Sequence, residues 1–259
     1  MIFLRSLLFN VAFHGWMVVA CLTLSWTVLL PRPGMMAAIR WFLGTLAFLE
    51  RVILGLRYEV RGRQNLPDGP FLVAAKHQSA WETTKLLLLF DDPAIVLKRE
   101  LTKVPVWGLF ARKAELIPVD RGARGRAVAS LLEGARKVVA KGRPIVIFPQ
   151  GTRTAPGVYH NYRIGVGVLY DQLHLPIVPM ALNSGLFWPR RAFIKRPGTI
   201  VVEFLPPIQP GLQRFEAMIE LETRLEAATD RLVMAAGGPP TKRPQSAATP
   251  SAENDSARL

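Results

Sequence analysis

From Ser6 to Leu30 the chain runs for 25 residues without an Asp, Glu, Lys or Arg. As a helix rising 1.5 Å per residue, that run reaches across a hydrocarbon layer of roughly 30 Å. Arg5 precedes it and Pro31-Arg32-Pro33 ends it. A cleaved signal peptide also begins with a basic residue and an apolar run, but this run is longer than such a core and no clear small-residue cleavage site follows. Val18-Val19-Ala20-Cys21 matches a lipoprotein box only faintly. The pattern therefore predicts a retained membrane helix over 6–30. A second apolar stretch, 35–56, places Met36, Ile39, Phe42, Leu43, Leu46, Leu49, Ile53 and Leu56 at spacings of three and four. That is an amphipathic period, read either as a helix lying in or re-entering the interface, or as the first core helix of the next unit.

After Tyr58 the pattern changes to alternating short β-rich runs and helical periods. Strands are predicted at 71–75, 94–97, 116–119, 145–148, 177–182 and 199–204, and helices at 82–90, 126–140, 164–172 and 215–235. Such alternation predicts an α/β fold, a mixed sheet flanked by helices, behind a two-helix membrane segment. The expected organisation is a membrane anchor over 1–57, a catalytic unit over 58–236, and a tail rich in Gly, Pro, Ser, Thr and Ala over 237–259 that reads as disordered.

Composition narrows the class. Half of the residues are hydrophobic, which excludes a wholly disordered chain, and a single cysteine, Cys21, excludes an internal disulfide framework and multi-cysteine zinc sites. The net charge of +14 calls for an anionic partner: nucleic acid, an acidic membrane or a phosphorylated substrate. Residues 112–143 hold nine basic residues against three acidic ones, and Arg190, Arg191, Lys195 and Arg196 form a second cluster. Solvated basic faces look like this too. Beside an apolar N-terminus the excess reads as attraction to anionic membrane lipid, and no nucleic-acid-binding motif accompanies it.

Several chemistries have no motif here: the phosphate loop of nucleotide hydrolases, His-Glu-x-x-His, and the Gly-x-Ser-x-Gly elbow are all absent. No metal or cofactor is expected. His77, by contrast, follows the strand-like run 71–75, and Glu82 lies five residues on, at the start of a helix. The acid can orient the imidazole and leave its other nitrogen as a general base. Ser79-Ala-Trp-Glu82 is equally a capping box, in which Glu82 only satisfies a backbone donor. A second constellation is Phe148-Pro-Gln150-Gly151-Thr152-Arg153-Thr154. There Gly151 permits an open loop, Thr152 offers a hydroxyl and Arg153 a planar fork for phosphate oxygens. Arg121, after the run 116–119, and Lys98, at another strand end, add cations to the same predicted edge.

Taken in order, these blocks resemble the glycerolipid acyltransferase family of the 1-acyl-sn-glycerol-3-phosphate acyltransferase kind. Its His-x4-Asp motif is matched by His77 to Glu82. Its second block resembles Leu97-Lys98-Arg99-Glu100-Leu101 through Ile117-Pro118-Val119-Asp120-Arg121. Its Phe-Pro-Glu-Gly-Thr-Arg motif is matched by 148–153 with Gln150 in place of glutamate, and its Val-Pro block by 177–182. The resemblance implies acyl transfer from a thioester of acyl-carrier protein or coenzyme A to the 2-hydroxyl of lysophosphatidic acid, giving phosphatidic acid. It implies His77 as base and Glu82 as its orienter. Lys98, Arg121, Gln150, Gly151, Thr152 and Arg153 would bind substrate. A bacterial inner membrane would carry the catalytic unit on its cytoplasmic side. The two departures, Glu82 and Gln150, keep two other readings open: acylation of another lysolipid, such as a lyso-amino-lipid, and hydrolysis of a thioester by water. A non-catalytic lipid-binding scaffold would make His77 a packing residue.

Overall fold

The computed structural model describes residues 1–120 and 124–242, with side chains from 126 onward in the second stretch. Arg121 and residues 243–259 of the expected tail lie outside the described residues. Helix α1 (Ile2–Leu24) continues into a 3-10 turn, Ser25–Leu29. Pro31 and Pro33 then start α2 (Arg32–Leu49), because proline suits a first turn whose amide has no helical acceptor. A π-helical turn, Glu50–Leu54, ends at Gly55, whose φ of +67° is the left-handed cap that glycine adopts at little cost. Among the described residues, Ile2–Leu29 is the one helix long and apolar enough to cross a membrane.

The second apolar stretch stops short of its predicted end. Leu56 already belongs to β1 (Leu56–Arg61). The alternation of Leu56, Tyr58 and Val60 with Arg57, Glu59 and Arg61 is a strand signal that the preceding helical period masks. The other strands fall within a residue of expectation: β2 (Leu72–Ala75), β3 (Ala94–Lys98), β4 (Ile117–Val119), β5 (Ile145–Ile147), β6 (Ile177–Leu182) and β7 (Gly198–Phe204). Between them lie α3 (Trp81–Leu89), α4 (Trp107–Lys113), α5 (Arg124–Val139), α6 (Gly165–Leu173), a single turn α7 (Ser184–Phe187) and the closing α8 (Arg214–Ala235). Neither α4 nor α7 is long enough to leave a clear period in the sequence.

The seven strands form one sheet in the order β1-β7-β6-β2-β5-β3-β4. From β6 to β4 the pairs are parallel; β7 runs antiparallel to β6, and β1 parallel to β7. The central strands are buried on both faces, so they read as continuous apolar runs. Leu72 and Ala74 of β2 face α5, α6 and α8, while Val73 and Ala75 face α3 and the foot of α1. Each buried Leu, Val or Ile contributes about 1.5–3 kcal/mol of transfer free energy, so these two layers hold the sheet in place.

The N-terminal helices are bolted to the sheet domain. Phe9 packs edge-on against Trp188 with ring centroids 5.3 Å apart, and Arg5 Nε donates to the Ile53 carbonyl at 2.6 Å. Arg32 grips Asp92 with two bonds of 2.6 and 2.7 Å. Below α2, Glu50 accepts from Lys85 Nζ at 2.8 Å and from Trp81 Nε1 at 3.0 Å, all three buried. Burial pushes the Glu50 carboxyl up and the Lys85 ammonium down from their ordinary values; their mutual attraction opposes both shifts. One face of α2 thus packs as a core helix does. Met35, Met36, Leu43 and Leu46 are buried, whereas Trp41 and Phe48 are exposed.

The basic clusters are less superficial than the charge count suggests. Arg143 is buried between Asp92 and Glu115, each at 3.1 Å. Lys195 is also buried, bonded to Asn10 Oδ1 at 2.7 Å and lying over the Trp188 ring. Its ammonium is pushed down by that burial.

Candidate active site

The alternation of β2 continues past its last residue. Leu72, Ala74 and then Lys76 point to the α8 face; Val73, Ala75 and then His77 point to the α3 face. His77 thus leaves the C-terminal end of a central parallel strand, where parallel sheets place their open loops. Its Nδ1 lies 2.8 Å from Glu82 Oε1. The same oxygen accepts the backbone N–H groups of Gln78 and Ser79, both at 2.7 Å, and Oε2 accepts the Ser184 hydroxyl at 2.8 Å. The Ser79 hydroxyl in turn accepts the Trp81 N–H at 3.0 Å. Glu82 therefore accepts backbone donors as a cap does and also bonds the His77 ring, so the two arrangements that the sequence set as alternatives occur together.

Those donors converge on a fully buried acceptor. A bond to the Glu82 carboxylate makes Nδ1 of His77 its donor, and among the described residues nothing bonds Nε2. The ring is stacked on Phe148 at 4.0 Å between centroids, which restricts its rotation. Its backbone is clamped as well: His77 N–H donates to Gln150 Oε1 at 3.2 Å, and its carbonyl accepts the Thr154 N–H at 2.7 Å.

Gln150 and Thr154 come from the loop after β5, the strand beside β2. The first half of the loop folds tightly, with Gly151 at φ +65° donating to the Phe148 carbonyl at 2.9 Å. The amides of Gly151 and Thr154 are thus engaged, which narrows the expected open anion loop to Thr152 and Arg153. Both of those residues are half-buried. Gln150 is wholly buried and its Nε2 has no partner among the described residues. Its Oε1 does for His77 what a carboxylate oxygen would do, which explains how glutamine fits a position where the resembled family has glutamate.

Two further arginines border the same loop: Arg163, which the sequence reading passed over, and Arg190, which it counted only in a basic cluster. The Arg163 N–H donates to the Pro149 carbonyl at 2.8 Å. A Cβ at Gly151 would come 3.4 Å from Arg163 Cγ, so that side chain lies against the loop. Arg190 Nη1 donates to the Arg153 carbonyl at 3.1 Å. Among the described residues no carboxylate pairs with the guanidinium of Arg153, Arg163 or Arg190. The signal for Arg163 was a cation just ahead of α6; for Ser184 it was a hydroxyl two residues past β6, the other neighbour of β2. Lys98 does lie at the same sheet edge, one strand beyond β5. It is exposed, however, and its ammonium pairs with Glu100 at 3.1 Å.

On the other face, Lys76 Nζ bonds both oxygens of Glu226 at 2.6 and 2.7 Å, and Tyr162 donates its hydroxyl to the same carboxylate at 2.7 Å. Burial, with the Glu226 charge adding to it, pushes the Tyr162 phenol well above its ordinary value.

Three curated relatives carry one activity name. The sequence profile of the Acyltransferase family matches residues 57–183. Over 180 residues the chain is 38% identical to the 1-acyl-sn-glycerol-3-phosphate acyltransferase of Pseudomonas aeruginosa, covering 70% of each protein. It is 30% identical over 158 residues to the enzyme of that name from Limnanthes alba, covering 60% of this chain and 56% of the relative. To the 1-acyl-sn-glycerol-3-phosphate acyltransferase alpha of Mus musculus it is 28% identical over 162 residues, covering 61% and 57%. The crystal structure of the 1-acyl-sn-glycerophosphate (LPA) acyltransferase PlsC from Thermotoga maritima matches with a TM-score of 0.74, over 90% of this chain and 98% of that one, at 21% identity. That likeness establishes the fold. Because the profile spans both the His77–Glu82 pair and the Gln150–Arg153 loop, and the bacterial relative is matched over most of its length, the chain belongs to the acyltransferase family of the 1-acyl-sn-glycerol-3-phosphate acyltransferases.

Proposed function

We propose that the protein transfers a fatty acyl group from an acyl thioester to the 2-hydroxyl of 1-acyl-glycerol-3-phosphate, forming phosphatidic acid. The observation that carries this reading is the His77–Glu82 contact, beside arginines that meet no carboxylate among the described residues. Nε2 takes the hydroxyl proton as the oxygen attacks the thioester carbonyl. The tetrahedral intermediate then collapses, the C–S bond breaks, and the imidazolium returns the proton to the departing thiolate. Glu82 stabilises the imidazolium between these steps. A general base held in this way is worth about 10²–10⁴ in rate. The donor is the thioester of acyl-carrier protein or of coenzyme A.

Arg153 binds the acceptor's phosphate, with Thr152 and the neighbouring Arg163 and Arg190. Lys98 and Arg121 keep the phosphate-binding role that the resemblance implies, Lys98 by exchanging Glu100 for the ligand. Uncompensated arginines favour a phosphate-bearing acceptor over a lyso-amino-lipid, for which they would lack a partner. The organisation that follows is a membrane anchor over 1–57 and a catalytic unit over 58–236, on the cytoplasmic side of a bacterial inner membrane with anionic lipid.

The test is acyl transfer by the purified protein in detergent, with acyl thioesters and lysophosphatidic acid, beside His77→Ala and a reaction without acceptor. Phosphatidic acid made by the wild type and lost in the variant is the expected result. Free fatty acid in the absence of acceptor would identify a hydrolase instead, and product only from another lysolipid would move the acceptor assignment.

A further inference from the structure

The turn between α1 and α2 does not end in solvent. Lys113, the last residue of α4, donates to the backbone carbonyls of Val28 and Leu30 in that turn. Phe110, Ala114 and Leu116 pack with Val28, Met35, Met36 and Ile39. The inner face of α4 is thereby filled. Its outer face and the segment before it are not: Leu101, Val104, Trp107 and Leu109 are 44%, 46%, 42% and 48% exposed. Around them stand the exposed cations Lys98, Arg99, Lys103 and Arg112, against the single acid Glu100. At the centre, Val106 adopts φ +61° and ψ −62°, and the Trp107 N–H reaches back to the Pro105 carbonyl at 2.6 Å. This is the rare positive-φ γ-turn, an unfavourable shape for a β-branched residue. It reverses the chain where the apolar side chains stand out.

We propose that residues 99–109 form a second membrane contact, a wedge that enters the headgroup region of an anionic bilayer. The inference rests on the membrane residence proposed above. Three observations select a lipid surface as the occupant. The wedge is continuous, through Lys113, with the hairpin turn whose Trp26 and Leu29 are exposed. It combines a tryptophan and aliphatic side chains with cations, the mixture that settles at a bilayer interface. It also leaves β3 at the edge where His77 leaves β2, since both strands run parallel to β5. An acidic carrier protein would use the cations and leave the apolar side chains uncovered. A second copy of a chain with net charge +14 is electrostatically disfavoured at this patch. Hairpin and wedge together hold the bilayer against the edge that carries the base, so a lysolipid reaches Nε2 without leaving the membrane.

The experiment uses the full chain with Cys21→Ser and an environment-sensitive fluorophore on Val104→Cys. Gln172→Cys, exposed on α6 across the sheet, is the reference. Vesicles containing one-quarter anionic lipid and lipid-borne quenchers are added. The expected result is a blue shift with quenching at 104 and neither at 172. A Trp107→Ser/Leu109→Ser variant is expected to bind these vesicles about tenfold more weakly, while its turnover in mixed micelles stays within about twofold of wild type. A label at 104 that stays in water on vesicle-bound protein would overturn the proposal. So would protection at 104 that needs only carrier protein, or only high protein concentration. The quenching is read without turnover, so a failure of the acyl-transfer reading and a failure of the wedge are distinguishable.

Discussion

Lys76 and His77 are neighbours in the chain, and each is paired with a glutamate that is wholly shielded from solvent. The strand's alternation sends the first to the α8 face and the second to the α3 face, and there the two pairs diverge. Lys76, Glu226 and the Tyr162 hydroxyl form a sealed network in which every member is spent on another. The His77 side chain keeps 14% of its surface open and, among the described residues, one ring nitrogen without a partner, while Glu82 is saturated by four donors. A saturated acceptor behind an unsaturated base has the form of a poised acid–base site; a pair saturated on both sides has the form of a staple.

That contrast can be broken by exchanging single atoms. The largest effect is expected from His77→Ala, with turnover down about 10²–10⁴-fold and an almost unchanged unfolding midpoint. Glu82→Gln should follow closely in activity. The amide oxygen can still accept from Gln78, Ser79 and His77, and the Ser184 hydroxyl can turn to accept from the new NH₂, so destabilisation is limited to about 1 kcal/mol. Equal losses of activity and stability would defeat the orienting role.

Glu226→Gln should behave in the opposite way. It strands a buried ammonium and is expected to cost about 3–5 kcal/mol of stability. The folded fraction keeps most of its turnover, and Lys76→Met in the same chain recovers much of the loss; denaturant titration beside active-site normalised rates would measure both. Turnover that falls with Glu226→Gln in fully folded protein would merge the two networks into one.

The smallest effect belongs to Gln150→Glu. One carboxylate oxygen retains the His77 N–H, so turnover is expected within about tenfold of wild type. Gln150→Ala frees that N–H and loses about 0.5–1.5 kcal/mol of positioning. A Gln150→Glu variant that is inactive while folded would show that Gln150 Nε2, unpartnered among the described residues, serves the substrate.

Much of this organisation was legible before the structure. The apolar run over 6–30, the strand-like runs and the ordered motifs placed the hairpin, six of the seven strands and the His77–Glu82 pair, because period and spacing are local properties. The strand β1 was hidden by an adjoining helical period, and α4 by its seven residues. Arg163 and Ser184 were passed over since nothing near them in the chain shows that their strands flank β2. Arg143 and Lys195 counted as surface charge until packing put acids and aromatic rings around them.

By itself, then, the sequence determined which residues alternate and which segment avoids charge. It also set where a histidine stands relative to a strand end and an acid relative to a helix start. These are outcomes of covalent order and of periods of two and 3.6 residues. Only the tertiary structure decided that Glu82 bonds backbone donors and the His77 ring at once. It alone set Gln150 against the histidine's backbone and left the Arg163 and Arg190 guanidinium groups facing no carboxylate among the described residues. Those facts depend on which strands become neighbours in the sheet, and that is settled by the burial of two apolar faces across the whole chain, over separations no local pattern encodes.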